Sequence, residues 1–145
     1  MPRVSYAFFL ASALFGLAGM YWGSVMGESG DHSMLAGHAH LNLIGWLGMA
    51  VMGTFYALSA GRYPGWLAWL NFVLTGFGAL SLSVAMAYIV GRGDESFVPL
   101  VVAGSTTLML GMACLIAAIL LAWRSSARAP VSAESASAQS PPSVH

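Results

Sequence analysis

GHAHLNLIGWLGMAVMGTFYALSA, residues 37–60, decides the fold, because it is apolar, uncharged and long enough to cross a bilayer as a helix. Lipid offers backbone N–H and C=O groups no partner, so a helix, which satisfies them internally, is the state this stretch must take. Two histidines and an asparagine open it, at His38, His40 and Asn42. The same charge-free spacing recurs outward in both directions. No charged residue falls between Arg3 and Glu28, Asp31 and Arg62, Arg62 and Arg92, or Glu95 and Arg124. Four membrane helices are expected, over about 4–26, 37–60, 65–90 and 97–123, within an all-α integral membrane four-helix bundle spanning residues 1–124.

Composition supports that reading. Of 145 residues, 58% are hydrophobic and only 7% charged, against about 25% charged in soluble domains. The five basic residues are all arginine and are balanced by five acids, so no basic surface is available for nucleic acid. Cys114 is the single cysteine, which excludes an internal disulfide and any CxxC motif. The first segment could be taken for a signal peptide with Ala11–Ala13 as cleavage site. It is longer than a signal core, however, and ends in Met20-Tyr21-Trp22, an interfacial aromatic belt, so it is expected to stay.

Arg3, Arg62, Arg124 and Arg128 fall on one side of these helices, and Glu28, Asp31, Asp94 and Glu95 on the other with Arg92. The positive-inside rule then places the protein in the cell inner (plasma) membrane with both termini cytoplasmic. Asp31 or Ser33 is expected to cap the second helix. The short turn at Tyr63-Pro64-Gly65 makes helices two and three antiparallel neighbours. Residues 125–145, rich in Ser, Ala and Pro, are expected to be a disordered cytoplasmic tail, and His145 in it is set aside as a ligand. Gly19, Gly23 and Gly27, with Thr75, Ala79, Ser83, Ala87 and Gly91, form smooth stripes for close helix contact, within the chain in the first instance.

Ionisable groups at the mouth of a membrane helix usually face protein, water or a metal. Residues two apart on an α-helix point about 200° apart, so His38 and His40 cannot serve one ion from one helix. His38 shares its face with Asn42, Gly45, Met49, Met52 and Tyr56; His40 shares its own with Ile44, Leu47, Val51 and Leu58. Gly45 and Gly48 remove side chains beside His38 and Trp46 can pack nearby, as a flat macrocycle would require. Asn42 can orient a histidine.

The segment resembles the second transmembrane helix of subunit I of the haem-copper oxidases, and its His-Ala-His-Leu opening also looks like nitric-oxide-response haem-copper membrane proteins. In the C-type branch the helix has a ligand His, then an aromatic and small-residue stretch, then small-Thr-x-Tyr. On this chain those fall at His38, Trp46, Gly48, and Gly53-Thr54-x-Tyr56. The resemblance covers one helix of four and implies haem b, with His38 and then His40 as iron ligands. It also implies membership of the cytochrome c oxidase subunit I-like group, with electron transfer or binding of NO or O2 as the activity and a respiratory-chain redox partner.

The family's further histidines are missing, so no oxygen-reducing haem-copper centre can be built from one chain, and an enzyme is not expected. A second axial ligand would come from another copy in a homo-oligomer, from Met20, Met26 or Met86, or not at all. Arg92 is the candidate clamp for haem propionates. The alternatives are a copper or zinc site from Glu28, Asp31, His32, His38 and His40, or a cofactor-free accessory subunit of a respiratory oxidase.

Overall fold

A computed structural model describes residues 1–127. Helix α1 spans Arg3–Ser29, and a second membrane-length segment joins α2 (Leu35–His40), a π-helical stretch (Leu41–Gly48) and α3 (Met49–Leu58). Helix α4 (Gly65–Arg92), a 3-10 turn (Glu95–Phe97) and α5 (Val98–Ala127) complete it, with no strand among the described residues. The four long segments are each apolar enough to cross a membrane, so the protein is a multi-pass, all-α membrane four-helix bundle.

Helix ends follow the local chemistry. Helix α1 stops at Gly30, whose φ of 70° lets its N–H reach the Met26 carbonyl at 3.0 Å. Helix α4 starts behind Pro64 and stops at Gly93 in the same left-handed conformation. The helices exceed the expected spans at several ends: α1 reaches Ser29, α2 begins at Leu35 and α5 continues to Ala127. The expected tail therefore begins no earlier than residue 128; the remainder of that expectation, with Arg128 and His145, lies outside the described residues. The expected cap is corrected. Met34 precedes α2 without a side-chain cap, because Asp31 turns back and accepts the Ser33 N–H at 2.9 Å.

Burial is inverted relative to a soluble protein. Ser5, Ser12, Asn71, Thr75, Ser81 and Ser83 lie inside, while Leu10, Leu14, Leu17, Val51, Val73 and Leu110 face outward. Between lipid and protein there is no hydrophobic gain in burying leucine, so close packing by small residues holds the helices together. Gly37 lies against the Ser83 carbonyl and Ala87 Cβ of α4, Gly91 against the Ser33 carbonyl, and Gly111 of α5 against Thr75. The stripes named in the sequence are thus spent within the chain, except at Gly27, where an added Cβ would meet nothing within 4 Å.

Two ends can be distinguished. At the arginine-rich end Val4, Phe8, Met52, Tyr56, Leu67 and Ala118 gather in one core, with Phe8 and Tyr56 stacked 5.4 Å apart. Beside it Asn71 is fully buried; its Nδ2 donates to the Tyr56 hydroxyl at 2.9 Å, and its Oδ1 accepts from Thr75 at 2.8 Å. The other end, which carries the connections 30–34 and 93–94, holds His32, His38 and His40.

Candidate functional site at the histidine end

His38 and His40 occupy the last turn of α2, immediately before the backbone widens into the π-helix. π-Helical turns are rare and concentrate at functional sites. Here the winding stacks His38, Asn42 and Trp46 along one side of the segment, opposite Gly23, Gly19 and Gly16 of α1 respectively. A methyl group added to Gly23 would stand 2.9 Å from the His38 ring, and one added to Gly16 would stand 2.9 Å from the Trp46 indole. The α1 glycines are therefore the mould into which this face fits. The Ser12 hydroxyl fixes the register by donating to the Trp46 carbonyl at 2.7 Å.

The two histidines have different environments. His38 is half-buried against α1; Asn42 Nδ2 lies 3.4 Å from both of its ring nitrogens but donates its better bond, 3.0 Å, to the His38 carbonyl. Asn42 thus engages backbone, with the imidazole in contact above it. His40 Nδ1 lies 2.7 Å from the Ala36 carbonyl. A carbonyl can only accept, so Nδ1 carries the proton, and in a neutral imidazole with that tautomer Nε2 holds the lone pair. That lone pair has no hydrogen-bond partner among the described residues.

The sequence suggested a slot at Gly45 and Gly48. Gly45 is buried, and its space is taken by the Phe15 ring, 2.9 Å from where a Cβ would stand. At Gly48 an added Cβ would meet only the Leu43 carbonyl, at 3.3 Å. Phe15 of α1 thus occupies the space beside Gly45, while no side chain of another helix stands within 4 Å of an added Cβ at Gly48. The surface on the His40 side differs: Leu43 and Leu47, three and seven residues on, are exposed apolar side chains.

The remaining site residues lie around this end without converging. Arg92 closes α4 with its guanidinium 5.0 Å from the Tyr88 ring. Hydrogen bonds from the Ser33 backbone and side chain hold the Asp31 carboxyl below its usual range, helped by the fields of His32 and Arg92. His32 is exposed and bonded to the Gly30 carbonyl at 3.0 Å. Among the described residues no three of His, Cys, Asp and Glu gather to hold an ion, so the copper or zinc set is not assembled in one chain. Met20 is exposed, Met26 buried and Met86 half-buried. No family model, curated protein or solved structure matches the chain.

Sequence reasoning passed over Ser12 and Phe15, which shape the site from α1. The only signal was their spacing from the Gly16–Gly19–Gly23 series on the same helix.

Proposed function

We propose that the chain is a haem-b-binding protein of the cell inner membrane, with both termini cytoplasmic, in which His40 is the first iron ligand and His38 the second candidate. The observation that carries this is the His40 pairing with Ala36. A histidine whose Nδ1–H is held by a backbone carbonyl presents Nε2 in the fixed tautomer that metal-bound imidazoles use. Leu43 and Leu47 supply an apolar surface on that side. Since Phe15 occupies the space beside Gly45, the macrocycle would lie on this outer face and be closed off by a second copy, which makes a homo-oligomer part of the reading. Arg92 stands at the same end as a propionate partner. Haem b bound there would supply either a one-electron couple for a respiratory partner or, with one axial position open, a site for NO or O2.

The Phe15 ring beside Gly45 favours one rival, a cofactor-free accessory subunit of an oxidase. Optical spectra of the detergent-purified full chain, oxidised and dithionite-reduced, decide between them. A Soret band is expected in the wild type and in His38→Ala and is expected to be lost in His40→Ala. Sharp reduced α-bands would indicate two axial ligands. A colourless protein from haem-supplemented cells would overturn the haem reading in favour of the accessory subunit.

A further inference from the structure

The arginine-rich end carries a second feature that the haem reading leaves unused. The connection from α3 to α4 is pinned in place. The Arg62 N–H donates to the Ser59 carbonyl at 3.1 Å, Gly61 adopts a φ of 78°, and the Tyr63 hydroxyl donates to the Tyr56 carbonyl at 2.8 Å. The Tyr63 ring packs edge-on against Tyr56, with centroids 5.0 Å apart. The loop so held faces the last turns of α5 across an open cavity of about 480 Å³, lined by Arg62, Tyr63, Leu121, Arg124 and Ser125 among others. Among the described residues no acid lines it. Two arginines from different elements thus line one space, each with forked donors suited to an oxyanion.

Position supplies the other half of the argument. Trp66 and Trp123, next to the two walls, are 67% and 70% exposed near helix ends, the place where aromatic side chains favour headgroup depth. Leu121, one turn inside Arg124, offers apolar surface below it. We infer that this cavity is a binding site for a phosphate group at the membrane surface, that of an anionic phospholipid such as phosphatidylglycerol, held by Arg62 and Arg124. Arg3 lies at the same end but does not line the cavity, which provides an internal control. The inference does not rest on haem binding.

The test is native mass spectrometry of the detergent-purified full chain titrated with phosphatidylglycerol or phosphatidylcholine of identical acyl chains, with inorganic phosphate as a third arm. Preferential phosphatidylglycerol binding is expected, weakened about fivefold by Arg62→Gln or Arg124→Gln and about thirtyfold by both, with Arg3→Gln unchanged. Arg124→Lys, which keeps the charge, should recover part of the loss. Displacement of the lipid by millimolar phosphate, or phosphate binding alone, would make the free anion the ligand of the same site. Equal binding of the two lipids with no phosphate bound, or a loss in Arg3→Gln as large as in the cavity variants, would overturn the inference. Gel-filtration profiles of the single variants check that each remains folded.

Discussion

Gly37 and Gly27 separate fit from helix propensity at single residues. Both are helical glycines near the histidine end. A Cβ on Gly37 would sit 2.5 Å from the Ser83 carbonyl, a backbone atom of α4 that cannot rotate aside, and 2.9 Å from the Trp22 ring; on Gly27 it would meet nothing within 4 Å. Gly37→Ala should therefore cost about 1–3 kcal/mol from overpacking. Gly27→Ala should be neutral or gain up to about 1 kcal/mol from helix propensity. Thermal unfolding of the two variants in the same detergent checks this, and equal shifts would show that the α2–α4 contact carries no weight. The same reasoning explains why His38 cannot move toward α1: Gly23 already lies against its ring.

The π-helical stretch is where sequence and structure part company at the level of elements. The long segments were legible, because gaps between charges and a bilayer's thickness leave little freedom. Of the two faces expected from helical geometry, Met49, Met52 and Tyr56 are buried and Leu47, Val51 and Leu58 exposed, while His38, His40 and Ile44 are alike half-buried. Nothing in Leu-Asn-Leu-Ile-Gly-Trp-Leu-Gly distinguishes π from α winding. That choice is made across the helix pair, by Phe15 filling Gly45, Trp46 lying on Gly16, and Ser12 donating to the Trp46 carbonyl. Asn71 was equally opaque, since one polar residue in an apolar span does not reveal that Tyr56 and Thr75 are its partners. If the Ser12 bond helps hold the wide turn, Ser12→Ala should lower stability by about 1 kcal/mol. Ser24→Ala, which removes only an exposed bond within its own helix to the Met20 carbonyl at 3.1 Å, should change it by less than about 0.5 kcal/mol. Denaturation of both in detergent gives the comparison, and matched values would mean that ring packing alone sets the winding.

For the whole molecule, the distribution of charge over the two ends makes a claim about direction in the membrane. Arg3, Arg62 and Arg124 stand at the end where α1 begins and α5 finishes, whereas Glu28, Asp31, Asp94 and Glu95 stand at the histidine end with Arg92. The bias sits in short connections close to helix ends, the setting in which arginine placement governs insertion. Single cysteines in a Cys114→Ser background read the outcome directly. Ser29→Cys and Ser96→Cys lie at the histidine end and Ser126→Cys at the arginine-rich end, and all three positions are exposed. A membrane-impermeant maleimide should label the first two on intact spheroplasts and Ser126→Cys only after lysis. The reverse pattern would put the histidines on the cytoplasmic side and the arginine cavity against the outer leaflet. Labelling of all three on intact spheroplasts would mean that insertion is not set by arginine in this chain, because a single direction cannot expose both ends to the same compartment.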